Sequence, residues 1–77
     1  MTEDQKFSRT MTVAQIREPG EVMFLESARF YKVPEEDPAA ASMMAILREA
    51  KRSGSAVKVV LRSIDSDVIE DVKPAGN

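Results

Sequence analysis

A single helical segment with extended runs on both sides constrains this chain more than any other sequence feature. Strong helix formers fill residues 39–53, and Asp37, Pro38 and Gly54 favour an N-cap, a first helical position and a C-terminal stop. Apolar side chains recur at helical spacing at Met43, Ile46, Leu47 and Ala50. The pattern predicts one amphipathic helix that begins at Asp37 and packs its apolar side on another element.

The residues before the helix favour β-strands. A first strand is predicted over 8–17, and the Pro19-Gly20 pair predicts a tight turn after it. A second extended run covers 21–33, and its even-numbered positions form an apolar face: Val22, Phe24, Ala28 and Phe30. Because this run exceeds the usual length of a strand, we expect a bend near residues 26–27 that divides it in two.

The residues after the helix predict two further strands, at 57–61 and 68–73, joined by a short loop. The element order is therefore β-β-β-α-β-β, which is typical of an α+β or mostly β domain. Two architectures fit this order. The first is a small OB-like five-stranded barrel with one helix, and the alternative is an open antiparallel sheet with the helix packed on one face.

The second half of the chain resembles the pentameric B subunits of bacterial toxins. The resemblance rests on residues 43–54, a helix that ends in a basic stretch, and on the strand-like residues 57–61 and 68–72. It implies an OB-type barrel and a tendency to form rings. The toxin subunits are secreted and carry a disulfide, whereas this chain has no cysteine. Their sugar-binding residues match no positions here, so no receptor is implied.

The chain has room for one domain. Its 77 residues are too few for two ordinary domains. We expect an N-terminal tail over residues 1–7, a single small domain over 8–74 and a short tail over 75–77.

Several function classes are disfavoured by residue usage. The chain has no His and no Cys, so the commonest general base and the most reactive nucleophile are missing. Its three glycines are scattered and cannot form a phosphate-binding loop. The acidic groups at 35–37 and 65–67 fall in predicted loops, where carboxylates are commonly solvated. We therefore expect no enzyme, no catalytic residue, no metal site and no cofactor.

The small size of the chain favours assembly with other copies. A domain of this length buries only about 60% of the surface that its unfolded chain exposes, and no disulfide can stabilise it. We therefore predict a non-enzymatic binding or assembly module that forms a homo-oligomer, either a dimer or a ring, and that binds a protein or other ligand. The predicted interface comprises one flank of the helix and one strand position: Met43, Met44, Leu47 and Val60.

Single-stranded nucleic acid is the alternative ligand. Basic residues are concentrated between the helix end and the following strand: Arg48, Lys51, Arg52, Lys58 and Arg62. Phe30 and Tyr31 supply aromatic faces on which bases stack in OB-type domains. The formal net charge of −2 gives only a weak electrostatic footprint for nucleic acid. We therefore rank this function below self-assembly.

Nothing in the sequence favours a membrane partner. The apolar runs are far shorter than the roughly 20 residues of a spanning helix. The first six residues are polar and do not resemble a secretory signal. We expect a cytoplasmic protein, with secretion after processing left open.

Overall fold

The computed structural model describes residues 6–75. It contains five strands and one helix in the predicted order. These are β1 (Phe7–Arg17), β2 (Glu21–Phe24), β3 (Ser27–Lys32), α1 (Ala40–Ser53), β4 (Ala56–Leu61) and β5 (Ile69–Pro74). The predicted tails fall largely outside the described residues, at 1–5 and 76–77. Phe7, assigned to the tail, instead begins β1 and lies opposite Leu61.

The strands form one antiparallel sheet in the order β3-β2-β1-β4-β5. β1 lies at its centre and changes partner along its length. Residues 7–12 pair with β4, and residues 13–17 pair with β2. A register shift at Ala14, between Val13 and Gln15, marks this change. Such a bulge bends the strand and explains why the apolar positions of β1 do not alternate along its whole length.

The sheet is open. Its edge strands, β3 and β5, meet at one isolated parallel bridge between Lys32 and Val68, where Lys32 N–H donates to the carbonyl of Asp67 at 2.8 Å. The closed barrel that we placed first is not supported, whereas the open antiparallel sheet fits. Closure fails because β3 ends at Lys32 and β5 begins only at Ile69, so the two edges run beside each other too briefly to form a ladder.

α1 covers one face of the sheet and packs mainly against β1 and β5. β4 shows the predicted alternation, with Val57 and Val59 buried and Lys58 exposed. The core joins this face of the sheet to the helix and comprises Met11, Val13, Val22, Phe24, Tyr31, Val33, Met43, Met44, Leu47, Ala50, Val57, Val59, Leu61, Ile69 and Val72. Within residues 6–75 the buried side chains are hydrophobic, so the core described here contains no charged group.

The second extended run divides as expected, with a turn at Leu25 and Glu26 between β2 and β3. The predicted apolar face does not continue past this turn. Ala28 is exposed and Phe30 is partly exposed, while Tyr31 is buried. The register of β2 against β3 shifts between Met23 and Phe24, which exchanges the two faces of β3 relative to a straight strand.

The sequence pattern predicts the end of α1 correctly but not its start. Gly54 ends the helix in the left-handed conformation at φ 78°, and its N–H donates to Ala50 O at 2.8 Å. The start was predicted at Asp37, but the helix begins at Ala40. Asp37 caps a preceding turn instead, since its Oδ1 accepts the Ala39 N–H at 2.8 Å. The helix proper has no side-chain cap.

The turn between β1 and β2 lies at residues 18–20, as predicted. Gly20 is buried, and its carbonyl accepts the Val33 N–H at 2.8 Å. A Cβ at Gly20 would lie 2.8 Å from the carbonyl oxygen of Val33. This backbone approach requires glycine and connects the first hairpin to the segment that precedes α1.

Candidate interaction surfaces

The helix positions predicted to meet a second copy lie inside the protein's own core. Met43, Met44 and Leu47 are 1%, 4% and 0% exposed. Val60, on the outer face of β4, is partly exposed. The three helix side chains face their own sheet, so an interface of the kind predicted does not use them. A Met44→Glu change would place a charge in the core and would not test association.

An apolar flank of α1 remains open beside these buried positions. Here the helix and the start of β4 border a groove of about 500 Å³. It is lined by small and apolar residues with one acid: Ala45, Ile46, Glu49, Ala50, Ser53, Ser55, Ala56, Val57 and Pro74. Ile46 is partly buried and Ala45 is exposed. This groove is the apolar part of the helix surface that the sheet leaves uncovered.

The predicted basic patch is divided between two sides of the molecule. Arg48, Lys51 and Arg52 line a shallow hollow on the other flank of α1. Lys58 points away from the core, on the sheet face opposite the helix, because its neighbours Val57 and Val59 point inward. The five basic residues therefore do not form one continuous surface.

Three of these basic residues already have acidic partners, namely Arg48, Arg52 and Arg62. Arg48 donates two hydrogen bonds of 3.0 Å to Glu18, and Arg52 donates one of 3.0 Å to Glu49. The hydrogen bond from Arg48 lowers the pKa of Glu18 below its ordinary value. Lys51 makes no ion pair within residues 6–75.

Arg62, near the end of β4, shares one acid with another cation. Its Nε donates to Glu70 at 3.2 Å, and Lys6 donates to the same carboxylate at 2.6 Å. The hydrogen bond from Lys6 and then that from Arg62 lower the pKa of Glu70. Lys58 has no ion-pair partner in the described part of the chain. The charge available for phosphate contacts is therefore smaller than the sequence pattern indicates.

The outer face of β1–β3 carries a row of side chains of which the sequence analysis named only Phe30. Gln15 lies opposite Met23, and Met23 lies opposite Phe30. The Arg17 guanidinium carbon lies 4.6 Å from the centroid of the Phe30 ring, and Arg17 Nε lies 3.7 Å from Glu21. We call these residues the outer row. A signal was present, because Arg17 and Glu21 flank the predicted Pro19-Gly20 turn and so had to meet across the hairpin.

Tyr31, proposed as a second aromatic face, is not accessible. It is 2% exposed, packs edge-to-face on Phe24 with ring centroids 5.5 Å apart, and shares a 2.8 Å hydrogen bond with the Ser27 hydroxyl. Arg29 covers its outer side, with the guanidinium carbon 5.1 Å from the ring centroid. Tyr31 is therefore a core residue, and Phe30 is the aromatic side chain of β3 on the outer face.

Glu26 ties the β2–β3 turn to β1. Its carboxylate accepts the Thr12 N–H at 2.8 Å and the Thr12 hydroxyl at 3.1 Å. The hydrogen bond from the Thr12 backbone lowers the pKa of Glu26 below its ordinary value. The neighbouring Leu25 N–H also donates to Thr12 O at 2.8 Å. The turn is thereby fixed beside the position where β1 changes partner.

Metal binding and membrane spanning are two further function classes. Within residues 6–75, no group of three or more His, Cys, Asp and Glu side chains is placed to hold a metal ion. The helix of the described region is not long and apolar enough to cross a membrane.

Comparisons with known proteins found no relative. No family model matches the sequence, no curated protein matches it, and no solved structure matches it. The role of each surface therefore has to be inferred from the residues of this chain.

Proposed function

We propose that this chain is a small non-enzymatic binding module that self-assembles through the open flank of α1. The observation that supports this most directly is the groove beside Ile46. The groove is bordered mainly by apolar atoms, lies on the only helix in residues 6–75, and is not covered by the sheet. Burying such a surface stabilises association at about 25 cal/mol per Å² before the costs of association are counted.

A second copy is the occupant that we propose for the groove. Its small residues permit the close approach of another backbone, and Glu49 at its border is already paired with Arg52 at 3.0 Å. Association there buries no unpaired carboxylate. The flank lies next to the predicted interface positions, so the proposal keeps the predicted mode of assembly and moves it to side chains that are accessible.

At a finer level we propose a partly open barrel of the OB type. Three features support this architecture: a long central strand shared by both halves of the sheet, a helix between β3 and β4, and a contact between the two edges. The relation to toxin B subunits stays a proposal at the level of this architecture. Ring formation is one of the assemblies compatible with it.

Sedimentation equilibrium tests self-assembly. Between about 10 and about 500 µM protein, the mass should rise above the 8.5 kDa of one chain as concentration increases. Ile46→Gln should weaken association by placing an amide in the groove, whereas Lys51→Gln, on the opposite flank, should leave it unchanged. A mass of one chain at every concentration would refute self-assembly. Equal association by both variants would exclude the groove as its site.

Single-stranded nucleic acid is the second candidate ligand, and the outer row supports it. Phe30 is partly exposed on this sheet face with the Arg17 guanidinium over its ring, so a base stacks on Phe30 by displacing Arg17, which lies 3.7 Å from Glu21. Lys32 lies opposite Glu21 on the same hairpin. Base stacking on an aromatic side chain contributes about 1–3 kcal/mol per base. Arg48, Arg52 and Arg62 are already paired with acidic side chains, which leaves less charge for phosphate contacts. We therefore rank nucleic acid below self-assembly.

Fluorescence anisotropy with a labelled oligothymidine tests the second candidate. Binding at low salt should weaken steeply as salt is added, because phosphate contacts release counterions. Phe30→Ala and Arg17→Gln should reduce affinity, and Arg52→Gln, whose charge is paired on the helix, should not. An absence of binding to the wild-type protein at low salt would eliminate nucleic acid as a ligand.

A further inference from the structure

The two edges of the sheet are joined along a short seam. We define the seam as residues 29–33 on the β3 side and residues 67–69 on the β5 side. Neighbouring strands within the sheet share four or more registered positions, whereas β3 and β5 share the single bridge from Lys32 to Val68. The seam is therefore the boundary of the sheet with the fewest backbone hydrogen bonds.

Asp67 supplies two of the contacts that hold the seam closed. Its carbonyl accepts the Lys32 N–H at 2.8 Å, and its Oδ1 lies 3.3 Å from Arg29 Nε. The Arg29 and Asp67 side chains are 46% and 54% exposed. Exposed ion pairs of this kind typically contribute about 0.2–1 kcal/mol, so this pair supplies only a small part of the closure.

The side chains beneath the seam are apolar and make no hydrogen bond across it. Tyr31, Val33 and Ile69 are 2%, 3% and 0% exposed, while Val68 at the bridge is 42% exposed. The Tyr31 hydroxyl is bonded to Ser27 on its own strand. Separating the two edges therefore breaks the contacts of Asp67 and exposes an apolar slot, without leaving a buried polar group unpaired in the core.

The bulge in β1 supplies a hinge for this separation. β2 pairs with residues 13–17 of β1 and carries β3, whereas β4 pairs with residues 7–12 and carries β5. A rotation between Thr12 and Val13 moves β3 away from β5 without separating a registered pair of the four antiparallel ladders. The hydrogen bonds of Thr12 to Glu26 and to Leu25 span this hinge and limit how far it opens.

We propose that the seam is a clasp, fastened by Asp67, that opens about the β1 bulge while the protein remains folded. The closed form covers the apolar slot. The open form exposes the core side of β3 and frees the facing edges of β3 and β5. The opening is a local event whose free energy is lower than that of global unfolding.

Amide hydrogen exchange followed by NMR tests the clasp. In the wild-type protein the Lys32 amide should exchange faster than the Val59 amide in the central part of the sheet. Asp67→Ala should raise exchange of Lys32 about two- to fivefold, as expected for the loss of an exposed ion pair, and leave Val59 unchanged. Arg29→Gln should give the same increase, and the double variant should add nothing. Glu49→Ala, which removes an exposed ion-paired carboxylate from α1, is the control without effect.

A disulfide across the bridge provides the opposite perturbation. The chain has no cysteine, so Lys32→Cys combined with Val68→Cys yields one defined pair. Oxidation should slow exchange of the amide at position 32, whose hydrogen bond to the Asp67 carbonyl crosses the seam, to the rate set by global unfolding, and reduction should restore it. Unchanged exchange on oxidation would overturn the clasp. So would equal acceleration at Lys32 and Val59 in Asp67→Ala, since that pattern indicates global destabilisation.

Discussion

At the scale of single residues, Gly20 has the most specific requirement. A Cβ there would come within 2.8 Å of a backbone oxygen, that of Val33, while the φ angle of Gly20 is not in the left-handed region. Gly54 is the opposite case, because a Cβ there meets nothing within 4 Å but φ is +78°. The two glycines are thus needed for different reasons, one for space and one for conformation.

Substitutions at Gly20 and Gly54 should distinguish the need for space from the need for a left-handed backbone. Gly20→Ala should cost about 1–3 kcal/mol of the free energy of unfolding, since backbone must shift to make room. Gly54→Ala should cost about 1 kcal/mol, and Gly54→Asn should recover part of it because asparagine tolerates the left-handed region. Gly20→Asn should be no better than Gly20→Ala. Urea denaturation midpoints check these values, and a neutral Gly20→Ala would show that the approach to Val33 relaxes freely.

At the scale of elements, the β2–β3 hairpin depends on Glu26. The sequence placed Glu26 at the expected bend of the second extended run but did not reveal its partner. Its carboxylate holds Thr12 on β1, so the pKa of Glu26 is lower in the folded protein than its ordinary value of 4.5. A group with a lowered folded pKa stabilises the protein above its unfolded pKa and loses that contribution as pH falls through the folded pKa.

Glu26→Gln should therefore have a pH-dependent effect on stability. At neutral pH the variant should unfold at a lower urea concentration than the wild type, because the neutral amide is a weaker acceptor for Thr12. The difference should shrink as pH falls below about 4.5, where the wild-type carboxylate becomes protonated. Glu36→Gln, in the exposed connection before α1, is the control. A difference that stays constant down to pH about 3 would contradict the assigned hydrogen bonds.

Elements that depend on local patterns were predictable from the sequence. The turn at residues 18–20, the division of the second run and the Gly54 stop all follow from residues that act on their own neighbourhood. The start of α1 was placed too early, because Asp37 caps a turn by the same chemistry with which it would cap a helix. Only the conformation of the backbone after Asp37 distinguishes a capped turn from a capped helix.

At the scale of the whole molecule, prediction failed where distant segments decide the outcome. Sheet closure depends on how long β3 and β5 run side by side, and no local pattern encodes that length. The interface prediction failed for a related reason. Met43 and Met44 point about 100° apart on a helix, and both are buried in the core. The outer row likewise forms only when β1, β2 and β3 are in register.

The sharing of β1 between both halves of the sheet has a consequence for folding kinetics. Its second part pairs with β2 across a tight turn, whereas its first part pairs with β4, with Phe7 opposite Leu61. The hairpin closes a short loop, but the β1–β4 ladder joins residues that are 44 to 54 positions apart and carries the larger entropy cost. Such long-range pairing slows folding relative to helical proteins of the same length. The rate-limiting event is therefore expected to be the pairing of β1 with β4, after both the helix and the first hairpin can form.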